Sequence, residues 1–124
     1  MASAVLVADD SRVMRRIIIR ALNDIGLDQI VEANDGDEAL AEFGKQEFML
    51  VLTDWNMPNK NGLEVIQGIR ATGSKVPIIM VTTESEKARV FSAIEAGVTD
   101  YLIKPFDAET LRGKVEKHVA MPAS

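Results

Sequence analysis

The chain has no cysteine among its 124 residues. Thiol nucleophiles, iron–sulfur clusters, thiolate zinc sites and a disulfide framework are therefore excluded. A single histidine, His118, is too little for a histidine-based metal site. Basic residues are outnumbered, with 14 Lys and Arg against 19 Asp and Glu and a formal net charge of -5. An acidic chain without a basic stripe argues against nucleic-acid binding. No apolar run approaches the roughly 20 residues that span a bilayer, so no transmembrane helix or membrane role is expected. Met1-Ala2-Ser3 lacks the charged-then-apolar layout of a secretory leader. Internal repeats, low-complexity segments and linkers are missing as well.

What is there suits a globular protein. Hydrophobic residues make up 47% and charged residues 27%, close to the soluble average. A chain of this length forms one domain and buries about two-thirds of its unfolded surface. The expectation is a cytoplasmic protein with one domain over residues 1–124, of which 121–124 form a loose tail.

Glycines punctuate the chain. Gly26, Gly44, Gly73 and Gly97 each follow a stretch of helical apolar spacing and precede a short apolar run. Glycine just past a helix can close it in the left-handed conformation. The strands predicted are Ala4–Asp9, Gln29–Ala33, Phe48–Asp54, Val76–Thr82 and Tyr101–Lys104. Three of them are nearly continuous apolar runs, as expected where helices cover both faces of a parallel sheet. The second, with Glu32, reads as an edge. Five amphipathic helices fit between and after them, with stripes such as Met14, Ile17, Ile18, Ala21, Leu22 and Ile25 in the first. In the fourth the stripe is Phe91 and Ile94 with Ala88 and Ala93; in the last it is Leu111, Val115 and Val119, with Asp107 as N-cap. Strands alternating with helices imply an α/β fold, a doubly wound parallel sheet with right-handed crossovers.

Ligands of such sheets bind beyond the carboxyl ends of the strands. There the chain places Asp9-Asp10, Asp54, Thr82-Thr83 and Lys104. If the first and third strands are neighbours, Asp9, Asp10 and Asp54 converge. Three carboxylates repel one another, so the cluster raises its pKa values or binds a cation. Oxygen donors alone suit a hard ion, Mg²⁺ first and Mn²⁺ or Ca²⁺ next. Mg²⁺ keeps several waters and leaves room for a phosphoryl group, which Lys104 and the Thr82 hydroxyl would face. An aspartate can attack phosphorus and become an acyl phosphate.

These residues carry a resemblance. Asp9-Asp10, Thr53-Asp54-Trp55-Asn56-Met57-Pro58 with Gly62, Val81-Thr82 and Lys104-Pro105-Phe106 resemble the receiver domain of two-component response regulators, from about Val5 to Val119. Within that family, the run after Asp54 and Met14-Arg15-Arg16 look most like the stand-alone CheY-like chemotaxis regulators. The resemblance implies a flavodoxin-like (βα)5 fold with strand order 2-1-3-4-5. It implies that Asp54 is the phosphoacceptor. Asp10, Asp54 and the backbone carbonyl of Asn56 would ligate Mg²⁺ (or Mn²⁺), with Asp9 acting through water. Lys104 would bridge to the phosphoryl group, and Thr82 would swing toward it. Tyr101 would follow inward and change the face made by helix four, strand five and helix five. Asn56 and Glu84 would tune dephosphorylation. A histidine kinase or histidine phosphotransfer domain would donate the phosphoryl group. A flagellar motor switch protein would be the target and a phosphatase a further partner, the chain itself being a monomer and not a turnover enzyme. Thr83 departs from the alanine or glycine common after the switch threonine, and Asp100 from the small residue common before Tyr101.

Other readings stand beside this one. A phosphate sink or phosphorelay intermediate would use the same chemistry without a motor target. A haloacid-dehalogenase-like phosphatase also uses an aspartate nucleophile, but after its first strand. A flavodoxin-like electron carrier needs a hydroxyl- and glycine-rich phosphate loop after strand one, and Asp9-Asp10-Ser11-Arg12 would repel a flavin phosphate. Residue by residue, Trp55 reads as a partly exposed aromatic and His118 as a solvated surface residue. Arg12, Arg15, Arg16 and Arg20 read as a solvated or kinase-docking face of the first helix, and Met14 and Met80 as core.

Overall fold

A computed structural model describes residues 4–83 and 89–119. Five strands alternate with five helices: β1 Ala4–Ala8, α1 Arg12–Asp24, β2 Ile30–Ala33, α2 Gly36–Phe43, β3 Phe48–Asp54, α3 Gly62–Ala71, β4 Ile78–Thr83, α4 Val90–Ala96, β5 Asp100–Lys104 and α5 Ala108–His118. All pair in parallel, in the order β2-β1-β3-β4-β5. This is the flavodoxin-like arrangement that the resemblance implies.

The apolar runs explain the layering. β1 is buried along its whole length, and β3 and β4 nearly so. Alternate side chains feed two cores. Leu6, Val51, Ile66, Ile69 and Met80 pack on the side of α2, α3 and α4. Val5, Leu22, Leu50, Ile79 and Leu111 pack on the side of α1 and α5. β2 lies at the edge, and Glu32 is exposed there as expected. Four helices begin on side-chain caps. Ser11, Asp35, Asn61 and Asp107 each accept a hydrogen bond from the amide three residues on, which satisfies an otherwise orphaned donor.

Three expectations need correction. Gly26, Gly73 and Gly97 take positive φ, but Gly44 has φ -75 and ends α2 in a right-handed conformation. α4 has only seven residues, and Val90 and Ala93 take its core side. Phe91 and Ile94 are therefore turned outward, 74% and 56% exposed; Ala88 lies outside the described residues. Ile17 is likewise half-exposed, because Ile18, Ala21, Leu22 and Arg15 occupy the buried face of α1.

Candidate functional site at the carboxyl edge of the sheet

Parallel pairing sets the site. Ala8 pairs with Thr53, so the next residues, Asp9 and Asp54, emerge side by side at the same edge. Asp9, Asp10 and Asp54 each place a carboxylate oxygen within 4.8 Å of the others. β5 brings Lys104 to them: its Nζ is 3.3 Å from Asp54 Oδ1 and 3.5 Å from Asp9 Oδ2. The Lys104–Pro105 peptide is cis.

Asp9 and Asp54 are buried and Asp10 is exposed. Burial pushes the Asp54 carboxyl from 3.8 to about 6, and the charge of Asp9 adds to the rise. Lys104 and the Trp55 amide, which donates to Asp54 Oδ1 at 2.9 Å, oppose it without cancelling it. Burial also raises Asp9, against the Ser11 amide and Lys104. One lysine does not neutralise the cluster. All its donors are oxygens, and the exposed Asp10 leaves room for retained water. The residues present thus fit a hard divalent ion such as Mg²⁺.

The backbone after Asp54 is tightly drawn. Gly62 donates its amide to the Trp55 carbonyl at 2.8 Å. A Cβ on Gly62 would come within 2.4 Å of the Asp54 carbonyl oxygen, so only glycine fits there without displacing the backbone. Trp55 is 7% exposed, more buried than its place beside a polar site suggests. The Arg89 guanidinium lies 5.3 Å from its ring centroid and donates to Asn56 Oδ1 at 3.2 Å. Asp10, Asn56 and Arg89 border an open pocket of about 750 Å³.

Thr82 is fully buried, and its hydroxyl is the one buried side-chain polar atom without a hydrogen-bond partner among the described residues. Thr53, also fully buried, donates its hydroxyl to the Asp54 carbonyl at 3.0 Å. Met80 pairs with Tyr101 and Thr82 with Ile103, so Thr82 and Tyr101 share one face of the sheet. Tyr101 is half-buried against the core on the α4 side. Glu84 lies outside the described residues. The edge therefore brings together Asp9, Asp10, Asp54, Thr82 and Lys104, with Asn56 at the pocket rim and Tyr101 about two residues further down the sheet.

The sequence reading misses two clusters. His118 is not a solvated surface residue, because its Nε2 is 2.8 Å from Asp100 Oδ2, whose other oxygen accepts from Lys114 at 2.9 Å. Lys114 also stands over the Tyr101 ring at 5.2 Å. Burial works against ionisation of Asp100, but the hydrogen bonds from Lys114 and His118 outweigh it and hold the carboxyl below its ordinary range. Lys114 and His118 are four apart and share a face of α5, a visible signal, but their partner on β5 emerges only from the tertiary packing. Arg15, expected on a solvated face, is 7% exposed and bonds Glu32 and the Asp9 carbonyl.

The response regulator receiver domain family matches residues 5–116. A chemotaxis protein CheY homolog of Campylobacter jejuni is 49% identical over 90% of this chain and 88% of its own. The structure of the chemotaxis response regulator CheY4 of Vibrio cholerae superposes with a TM-score of 0.87 at 33% identity, over 96% of this chain and 100% of the other. NtrX of Brucella abortus superposes equally well, with a TM-score of 0.87 at 29% identity over 95% of this chain, but this chain spans only 27% of its length. No described helix is long and apolar enough to cross a membrane. With the fold, the acidic edge and the family match in agreement, the chain belongs to the response regulator receiver domain family and is similar to its CheY-like chemotaxis members.

Proposed function

We propose that the chain is a phosphorylation-switched binding module of a two-component system, with Asp54 as phosphoacceptor. The observation that carries this reading is the cluster of three carboxylates within 4.8 Å, two of them buried, faced by Lys104. An Asp54 oxygen attacks the phosphorus of a phosphohistidine on a kinase or phosphotransfer domain. The phosphorus–nitrogen bond breaks, the donor imidazole keeps that electron pair, and an acyl phosphate forms on Asp54. Asp10, Asp54 and the Asn56 carbonyl would hold Mg²⁺, with Asp9 acting through water. Bound there, the ion would offset carboxylate repulsion and phosphoryl charge. Lys104, already 3.3 Å from Asp54, pairs with the added negative charge.

The orphaned hydroxyl of Thr82 supports its role as the switch. A buried donor without a partner gains when an acceptor arrives, so the phosphorylated state is favoured by differential contact. Movement of Thr82 inward frees space on the face it shares with Tyr101, whose ring follows. By the family resemblance, Asn56 and Glu84 would tune hydrolysis of the acyl phosphate. The exposed Phe91 and Ile94 on α4 favour a protein target, in the manner of a motor switch, over a phosphate sink. The protein acts in the cytoplasm, as a monomer of one domain, and is a switch rather than a turnover enzyme.

The test is chemical labelling. Acetyl phosphate with Mg²⁺ should label Asp54 alone, through a bond cleaved by hydroxylamine. Asp54→Asn should abolish it, and retained labelling at the parent rate would refute the assignment.

A further inference from the structure

Arg15 is the one arginine of α1 that is buried; Arg12, Arg16 and Arg20 are exposed. Its Nε donates to Glu32 Oε1 at 2.9 Å, and its Nη1 donates to the backbone carbonyl of Asp9. The ion pair does not account for the burial. The Glu32 side chain is 49% exposed, and a pair open to water on one side contributes little. A buried guanidinium loses hydration that an apolar side chain would not, so a leucine would serve the core at least as well.

The carbonyl contact accounts for it better. Every polar group of Asp9 has a partner. Its amide donates to the Ala33 carbonyl of β2 at 3.1 Å. Its Oδ1 accepts from the Ser11 amide at 2.8 Å, and its Oδ2 faces Lys104 of β5 at 3.5 Å. Among the described residues, its carbonyl accepts from Arg15. That carbonyl and the amide of Asp10 belong to one rigid peptide plane. Fixing the oxygen therefore fixes the direction in which the Asp10 Cα departs. Asp10 needs this help, because it is exposed and no surrounding core orients it.

We propose that Arg15 is a positioning residue for the cation site: it clamps the Asp9–Asp10 peptide so that Asp10 faces Asp54. The inference rests on the metal reading proposed above. The planar fork of arginine is what the task requires, since one guanidinium reaches a carbonyl and a carboxylate at once. A lysine in the same place has a single point of attachment and reaches one of them at a time.

The test uses the full chain and Mg²⁺ alone, followed by Trp55 fluorescence, with urea unfolding in EDTA measured in parallel. Arg15→Met keeps the stem and removes the fork. It should weaken Mg²⁺ binding about tenfold, the scale of losing a group that orients a ligand. Arg15→Lys should fall between that variant and the parent, and Glu32→Gln should cost less than either. The amide shift of Asp10 in EDTA should move in Arg15→Met and stay in Glu32→Gln. A merely structural arginine would lower stability in EDTA and leave the Mg²⁺ affinity and this ordering untouched, which would overturn the proposal. Should Arg15→Met not fold, parent-like affinity in Arg15→Lys would overturn it equally. A parent that binds no Mg²⁺ overturns the metal reading and this inference with it. A parent that binds, with Asp10→Asn weakened and Arg15→Met unchanged, overturns the inference alone.

Discussion

Asp54 and Asp100 make an instructive pair. Their side chains are 9% and 11% exposed, and each faces a lysine from elsewhere in the fold. Yet Asp54 is pushed up to about 6, while Asp100 is held below its ordinary value. The difference lies in the company each keeps. Asp100 has Lys114 at 2.9 Å, His118 at 2.8 Å and the Tyr101 amide at 2.8 Å. Asp54 has Lys104 at 3.3 Å and the Trp55 amide, with a second buried carboxylate beside it. The β5–α5 edge is electrostatically satisfied. The carboxyl edge of β1 and β3 is not, and a region that holds more negative charge than its one lysine offsets is ready to receive a cation.

Asp54→Asn should widen the contrast most. A carboxyl raised in the folded state contributes stability below its unfolded value and loses it as pH rises through the folded value. At pH 7.5 the Asp54 charge therefore opposes folding. The interval from 3.8 to about 6 bounds the effect at about 3 kcal/mol. Urea unfolding in EDTA should find Asp54→Asn more stable than the parent at pH 7.5, with the gap closing toward pH 4. Asp100→Asn should go the other way, losing about 2 kcal/mol at pH 7.5 because Lys114 and His118 lose their carboxylate acceptor. A lowered carboxyl contributes stability above its unfolded value, so this loss should fade as pH falls below about 4. Thr82→Ala should change stability least, within about 1 kcal/mol, since it removes a hydroxyl that has no partner. It should still accept a phosphoryl group while losing the amide shifts that beryllofluoride induces near Tyr101; parent-like shifts would make Thr83 the next candidate.

The two regions were unequally legible in the sequence. The acidic edge was readable because continuous apolar runs mark parallel strands, and the residue that ends each run must appear at one edge. Asp9, Asp10, Asp54, Thr82 and Lys104 follow from that rule alone. Asp100 was not readable, since a carboxylate at the start of a strand looks solvated until α5 packs on it. Arg15 failed for a related reason: long side chains at helical spacing read as surface, and only the fold supplies a buried acceptor such as the Asp9 carbonyl. α4 misled because seven residues give too few turns to decide which of two adjacent stripes, Val90 with Ala93 or Phe91 with Ile94, meets the sheet. Asp100 and Arg15 depend on tertiary contacts, which periodicity does not encode.

The most direct test of the unsatisfied edge is Mg²⁺ titration of the parent chain at pH 7.5 and at pH 5, read from Trp55 fluorescence. If the ion meets carboxylates that burial and mutual repulsion have raised, protons must compete with it. Affinity should then fall severalfold as pH drops through about 6. Equal affinity at the two pH values would contradict the account.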